Sequence, residues 1–277
     1  MQAEAQSAIE LKGTGGAEAK YAGGQINEKG KYYLDILNQS NSVFVQKKAP
    51  FINIVSAGFC TRNNQYKVYE FDEVAGKRGR KIFKMRQDSH YCCRLCVHPW
   101  CRGYNMEAKL EDQSSYFQSE RPCKCTLCCC FRPEMKVFLP GINGSKPYIS
   151  IKNPWNWCTA TAEIYDENDA LKYTIKTYCC SCAYICPMKC GRCKQATMVI
   201  EASDGSQGQI TKVWSTCCRE WCHVHAFNFI VSFPPNTGVH DKMLLLHALE
   251  LIDMNYFELP NPIQDGSFFA AMMRGGR

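Results

Sequence analysis

Closely spaced cysteines are the residues of this sequence with the greatest potential for chemistry. The chain has 20 cysteines in 277 residues. Most of them fall within residues 92–101, 123–130, 179–193 and 217–222. Neighbouring thiols rarely form a disulfide with each other, because the two Cβ vectors must converge. Three uses therefore remain open: zinc ligation, thioester-linked acyl chains, and packing as small apolar residues.

Zinc ligation is the first alternative. Four thiolates at about 2.3 Å complete a tetrahedral zinc site. The candidate ligands for such a site are Cys182, Cys186, Cys190 and Cys193. Their spacing is irregular, without two separated Cys-x2-Cys pairs, so the sequence allows zinc without requiring it.

Acylation is the second alternative, and it fits best in the segment between Pro122 and Phe131. One acyl chain binds a membrane only marginally, whereas two chains, or one chain with a basic patch, hold a protein there. The candidates for palmitoylation are Cys125, Cys128, Cys129 and Cys130. Small buried residues in a loop would explain the same run.

A run of cations without an acid gives a second membrane signal. It consists of Lys77, Arg78, Arg80, Lys81, Lys84 and Arg86. Near an anionic lipid surface each cation contributes roughly 1 kcal/mol. We therefore predict a patch that binds anionic phospholipid headgroups, with a solvated hairpin edge as the alternative.

Composition and motifs limit the remaining classes. The net charge of +7 is a mild bias that does not favour a nucleic-acid partner. The first residues lack the apolar stretch of a secretory signal, which indicates a reducing location and free thiols. Cys222 lies beside His223 and His225, but nothing in the sequence orients this pair as a catalytic dyad. We predict a protein that is not an enzyme.

The pattern along the chain predicts a mainly β fold. Short apolar runs recur about every ten residues between Gly, Asn and Asp turns, as in an antiparallel sandwich or barrel. We expect a flexible tail over residues 1–30, one barrel domain over residues 31–260, and a second tail over residues 261–277. Within the domain, residues 240–258 form the strongly helical segment.

This helix carries His247, Glu250 and Asp253 on one side. An acid at the centre of a bilayer-spanning helix costs roughly 2.5–3.5 kcal/mol. We therefore expect the helix to lie inside a protein barrel, with its polar edge toward the barrel mouth.

The order of motifs resembles the phospholipid scramblase family across roughly residues 32–260. The matching segments are residues 63–68, the Cys-Cys-Arg-x-Cys group at 92–96, the cysteine-rich segment 120–130, the strand 208–214, the Asn-Phe-x-x-x-Phe-Pro segment 228–234, and the helix over 241–258. Each match is modest, but their order along the chain is specific.

The resemblance implies a tubby-like fold, a closed antiparallel barrel of about twelve strands around the C-terminal helix. It also implies an acyl anchor on the cytosolic face of the plasma membrane or an organelle, and calcium-stimulated, energy-independent movement of phospholipids between leaflets. At the family's calcium segment this chain offers only neutral oxygens, on Asn228, Ser232 and Asn236. Calcium favours several carboxylate ligands, so we expect weak or absent calcium binding. The alternative function is a structural or adaptor subunit of a larger assembly.

Overall fold

The computed structural model describes most of the region expected to fold. The described residues are 28–48, 63–111, 115–124, 130–138, 149–156, 159–178, 196–213 and 228–258. Everything said below about contacts refers to these ranges.

Twelve antiparallel strands form a closed barrel, in which each strand pairs with its sequence neighbours and β1 pairs with β12. The strands are β1 (Ser42–Lys48), β2 (Gln65–Asp72), β3 (Lys77–Asp88), β4 (Tyr104–Leu110), β5 (Ser115–Arg121), β6 (Glu134–Phe138), β7 (Ile149–Lys152), β8 (Thr161–Tyr165), β9 (Leu171–Thr177), β10 (Ala196–Ala202), β11 (Gln207–Val213) and β12 (Asn228–Ser232). The predicted fold class is confirmed.

Alternation of side chains explains why these segments are strands. In β4 the side chains of Tyr104, Met106, Ala108 and Leu110 are buried, and the residues between them are more exposed. A period of two places one set inside and the other outside a sheet. The pattern therefore defines an apolar inner wall for a closed barrel.

Within the described residues, three helical segments accompany the barrel: α1 (Glu28–Gln39), α2 (Tyr91–Cys96) and α3 (Val239–Ile252). The last continues as a π-helical turn over Asp253–Phe257. Side chains of α3 are buried around its whole circumference. They contact strands on opposite sides of the barrel, as in the pairs Tyr104–Glu250 and Tyr173–Asp241. The helix thus fills the barrel interior, as predicted.

The two ends of the barrel differ, and we name them by position. At the helix-entry end, α3 begins at Val239 and the even-numbered strands finish. At the opposite end the odd-numbered strands finish and α3 gives way to its π-helical turn. We call the latter the cysteine end, because Cys92, Cys93, Cys96, Cys101 and Cys123 lie in connections there.

Candidate functional site

A layer of buried polar side chains lines the barrel interior near the cysteine end. Its members are the last inward-facing residues of five odd-numbered strands, with Asn153 directly after β7: Lys47, Gln87, Arg121, Asn153, Thr177 and Lys212. Each is at most 4% exposed. Burial of a polar group costs free energy unless it finds partners. Burying these six side chains therefore costs folding free energy unless each finds partners. The layer surrounds the C-terminal half of the central helix.

An ion-pair network joins the layer to the end of the helix. Lys47 Nζ lies 2.6 Å from Asp253 Oδ2 and 3.2 Å from Glu258 Oε2. Arg102 Nη1 lies 3.1 Å from Glu258 Oε1. Tyr66 donates a hydrogen bond of 2.7 Å to Asp253. Burial alone would lower the pKa of Lys47, but the charges of Asp253 and Glu258 outweigh it and raise that pKa.

Two further ionisable groups of the helix are held uncharged in the interior. Burial raises the pKa of Glu250 to about 8, against the opposing hydrogen bond of 2.7 Å that Tyr104 donates to it. Burial also lowers the pKa of His247 to about 4. The Nδ1 atom of His247 lies 3.0 Å from the hydroxyl oxygen of Ser119. At neutral pH the middle of the helix is thus neutral, between the charged Asp241 and Lys242 at its start and Asp253 near the cysteine end.

Chemically, the layer offers charge and hydrogen-bonding capacity. Within the described residues several buried atoms of this region lack a protein hydrogen-bond partner, among them Oε1 of Glu250, Oδ1 of Asp253 and both amide atoms of Gln87 and Asn255. The Ser119 hydroxyl lies within reach of the His247 imidazole, but both side chains are at most 3% exposed. Among the described ranges, no cluster of three or more His, Cys, Asp or Glu side chains could hold a metal ion.

The palmitoylation candidates lie largely outside the described residues. Only Cys130 can be placed; it is exposed and precedes Phe131, which is 71% exposed. Cys125, Cys128 and Cys129 are outside the described ranges, and so are all four zinc candidates, Cys182, Cys186, Cys190 and Cys193. Acylation and zinc binding at these positions remain predictions.

Two of the cysteine groups lie side by side at the cysteine end. The backbone N–H of Lys124 donates to the carbonyl of Cys101 at 3.2 Å. A Cβ atom placed on Gly103 would lie 2.7 Å from the backbone nitrogen of Cys123. The chain therefore needs a glycine here, because the two loops pack backbone against backbone. The exposed thiols of Cys92, Cys96, Cys123 and Cys130 consequently share one end of the molecule.

The predicted headgroup patch begins at the other end of the barrel. Lys77 and Arg78 start β3 at the helix-entry end, and the strand then runs about 35 Å to the cysteine end. Two further cations of the patch already face acids: Arg80 lies 3.6 Å from Glu70, and Lys81 lies 2.5 Å from Glu111. The six cations thus form a stripe along the outer wall, partly neutralised by neighbouring acids.

The three neutral residues of the predicted calcium segment do not converge. Asn228 and Ser232 lie at opposite ends of β12, about 13 Å apart at the usual rise per residue. Asn236 lies in the turn beyond, with a positive φ of 61°. Ser232 donates a hydrogen bond to Glu73 at 3.4 Å. This arrangement supports the expectation of weak calcium binding, which stays a prediction.

The polar side of the helix lies deeper than expected. His247, Glu250 and Asp253 have no exposed surface, so they face the inner wall rather than the barrel mouth. Their partners on the wall were missed in the sequence analysis. The available signal was a break in apolar alternation, as in β1, where Val43 and Val45 are followed at the next inward position by Lys47.

Fold and site together define a closed β-barrel that encloses its own C-terminal helix and has a buried charged layer at one end. None of the helices in the described residues is long and apolar enough to cross a bilayer. The Scramblase family model matches residues 22–259, and the chain belongs to this family.

Named relatives agree with this assignment. Phospholipid scramblase 2 of Bos taurus is 26% identical over 233 residues, which cover 82% of this chain and 71% of the relative. Phospholipid scramblase 1 of Homo sapiens is 26% identical over 232 residues, covering 81% of this chain and 65% of the relative. The matched segment thus spans about two thirds of these relatives' length. No solved structure shows a significant match.

Proposed function

We propose that this protein is a peripheral membrane protein that moves phospholipids between leaflets without an energy source and without chemical catalysis. The observation that carries the proposal is the match of the Scramblase family model to residues 22–259, which contain the whole barrel and its central helix. Relatives named phospholipid scramblase support it. A peripheral position is favoured because the central helix is occupied by contacts with the barrel wall.

Leaflet exchange in reconstituted vesicles tests this function. Purified protein is incorporated into vesicles of phosphatidylcholine and phosphatidylserine that contain a fluorescent lipid, and a membrane-impermeant reductant then bleaches the outer leaflet. Transfer exposes the inner-leaflet lipid to bleaching as well, with no nucleotide present. Vesicles with heat-denatured protein are the control. Bleaching no greater than in this control would refute the proposal.

The same assay tests calcium. We propose that exchange is little affected by calcium, since Asn228, Ser232 and Asn236 supply no carboxylate and lie apart. Parallel measurements with calcium and with a chelator should give equal rates. A large stimulation by calcium would contradict this part of the proposal and would call for ligands elsewhere in the chain.

We also propose that Cys125, Cys128, Cys129 and Cys130 carry acyl chains in the cell, on the cytosolic leaflet. The supporting observation is the exposure of Cys130 next to exposed Phe131. Intact-protein mass spectrometry before and after hydroxylamine should show a loss of acyl mass. Replacement of the four cysteines with Ala should move the protein from the membrane to the soluble fraction. Replacement of Cys92 and Cys96, which are also exposed, is the matched control.

A second candidate is a structural or adaptor subunit of a larger assembly on the same fold. The observation that favours it is the sealed interior, in which α3 is buried on all sides and joined to the wall by the Asp253–Lys47 ion pair. Stable co-purification with partner proteins, together with absent leaflet exchange, would favour this candidate over lipid transfer.

A further inference from the structure

The strand connections at the two ends of the barrel differ strongly in amino-acid composition. The connections at the cysteine end are residues 49–64, 89–103, 122–133, 153–160, 178–195 and 214–227. In the sequence these six segments contain all 20 cysteines and all 5 tryptophans of the chain. The strand connections at the helix-entry end contain neither residue type. This segregation follows from the strand order and from no single motif.

Charge is segregated in the same way. The connections at the cysteine end contain nine Lys and Arg residues and one acid, Glu220. The strand connections at the helix-entry end, residues 73–76, 111–114, 139–148, 166–170 and 203–206, contain seven Asp and Glu residues and one cation, Lys146. By sequence, the connections at the cysteine end are therefore cationic and those at the helix-entry end are anionic, while Lys77 and Arg78 at the start of β3 are cations beside the latter. An anionic surface attracts the cationic connections and repels the anionic ones.

Large aromatic side chains project from the cysteine end within the described residues. Tyr91, Trp100, Phe131, Trp155 and Tyr178 are 47%, 52%, 71%, 39% and 61% exposed. They come from four different connections, so they are distributed around the rim of the barrel. Trp and Tyr are enriched where proteins meet the headgroup region of a bilayer, since their rings are apolar with one polar edge.

We propose that the cysteine end docks onto an anionic phospholipid bilayer, with the barrel standing on its rim and the aromatic side chains in the headgroup region. This inference rests on the membrane association in the proposed function and adds the surface and the orientation. It needs no acyl chain, because exposed aromatic residues and cations together supply apolar contact and charge attraction. An acidic partner protein is the competing occupant, and the exposed Trp and Tyr side chains favour the headgroup region of a bilayer over it.

The orientation places the buried polar layer next to the membrane. Lys47, Arg121 and Lys212 are the last inward residues of their strands at this end. Docking on the rim would bring the charged part of the interior to the headgroup region and leave the neutral middle of the helix farther away. Docking on the outer wall through Lys77 and Arg78 would instead lay the barrel on its side.

Vesicle binding by matched variants distinguishes the two orientations. The probes are vesicles of phosphatidylcholine alone and of phosphatidylcholine with phosphatidylserine, and the protein is the full chain produced without acylation. Replacing Trp100 and Trp155 with Ala should weaken sedimentation with the anionic vesicles by about tenfold. The controls are Val74→Ala with Leu171→Ala, which removes exposed apolar groups at the helix-entry end, and Lys77→Ala with Arg78→Ala.

Both control pairs should change binding by less than about twofold. Weaker vesicle binding by the Lys77→Ala/Arg78→Ala variant, with binding by the tryptophan variant unchanged, would overturn the end-on orientation. Absence of wild-type binding to anionic vesicles would overturn docking itself. Circular dichroism checks that each variant keeps its unfolding midpoint. Leaflet exchange by the same proteins is scored separately, so loss of transfer with retained binding would refute the proposed function and leave this inference standing.

A second readout needs no variant. Because Trp100 and Trp155 are exposed at the cysteine end, quenching of intrinsic fluorescence reports contact of that end with the bilayer. Vesicles with brominated acyl chains should quench the wild-type emission strongly. Binding without quenching would show that another surface docks.

Discussion

The contact between Lys47 and Asp253 shows how one buried charge depends on another. Both side chains are almost fully buried and lie 2.6 Å apart. Removing one member of such a pair leaves an uncompensated charge and costs about 3–5 kcal/mol. We therefore expect Lys47→Met to lower the free energy of unfolding by that amount, measured by chemical denaturation.

The matched double variant tests the cause. Asp253→Asn keeps a partner for Tyr66 but removes the negative charge. Combined with Lys47→Met, it should recover a large part of the lost stability, giving a coupling energy of about 2 kcal/mol or more. Strictly additive effects of the two substitutions would contradict the proposed charge compensation.

Glu250 makes stability depend on pH. Burial raises its folded pKa to about 8, from 4.5, with Asp253 acting in the same direction and Tyr104, Arg121 and Lys47 acting against it. The unfolded chain releases this proton first, so stability falls as pH rises from 4.5 to 8. The lowered pKa of His247 acts in the opposite direction below pH 6.5. Of these two groups, Glu250 should therefore account for most of the change in stability between pH 6.5 and 8.

The corresponding test compares wild type with Glu250→Gln. Between pH 6.5 and 8 the free energy of unfolding should fall by about 2 kcal/mol more in the wild type than in the variant. One proton contributes about 1.4 kcal/mol per pH unit. Denaturant unfolding at pH 6.5 and pH 8 measures the difference. Equal pH dependence in both proteins would show that the carboxyl is ionised throughout.

At the scale of single residues, the sequence located the ionisable side chains of the helix but not their partners. His247, Glu250 and Asp253 stand out in an apolar segment. Lys47 and Arg121 do not, because their only signal is a break in apolar alternation, which a strand end exposed to solvent would produce equally. Only barrel closure shows that the last inward position of each odd-numbered strand faces the helix.

The attachment of α1 illustrates how one side chain secures an element. Lys242 Nζ donates hydrogen bonds of 3.1, 2.7 and 2.9 Å to the carbonyl oxygens of Leu37, Asn38 and Ser40. A cation at the end of a helix satisfies carbonyls that lack partners within the helix. Lys242→Gln should speed amide hydrogen exchange in α1 by about tenfold. Lys172→Gln, which removes an ion pair with Asp241 instead, is the control. Unchanged exchange in α1 would show that other contacts hold it.

The close approach of β11 to the segment after β12 gives a second test at this scale. A Cβ atom on Gly208 would lie 2.6 Å from the carbonyl oxygen of Ser232 and 2.7 Å from Pro234 Cδ. Backbone cannot yield as a flexible side chain does, so Gly208→Ala should destabilise the barrel by about 1–3 kcal/mol. Gly238→Ala, with nothing within 4 Å, should change stability little. Thermal denaturation compares them, and equal midpoints would contradict the steric argument.

Most strands were visible in the sequence because turn residues separate short apolar runs. Asp204 and Gly205 are an example: Gly205 has a φ of 84°, and Asp204 accepts a hydrogen bond of 2.8 Å from the backbone of Ser206. The helix α1 was missed, since its short segment is stabilised mainly by tertiary contacts such as those of Lys242. Closure into a barrel was implied by family resemblance and could not be derived from local pattern.

At the scale of the whole molecule, the strand order turns scattered sequence features into two contrasting ends. An antiparallel barrel of sequential neighbours sends alternate connections to opposite ends. The described cysteines of residues 92–101 and 123–130 therefore lie at one end, and Lys77 and Arg78 at the start of β3 lie at the other. The two membrane signals predicted from sequence cannot both lie on a flat surface perpendicular to the barrel axis. Because the two candidate membrane surfaces lie at different places on the barrel, an experiment can tell which of them faces the bilayer.

Thiol labelling measures that orientation on the whole protein. Cys92, Cys96, Cys123 and Cys130 are exposed at the cysteine end, and Val74, at the helix-entry end, is 100% exposed. In a Val74→Cys variant, anionic vesicles should slow maleimide labelling of the four native thiols by about fivefold or more, because the bilayer covers them. The introduced thiol should react at its original rate, read by peptide mass spectrometry. Equal protection of both ends, or protection of residue 74 alone, would contradict docking on the rim.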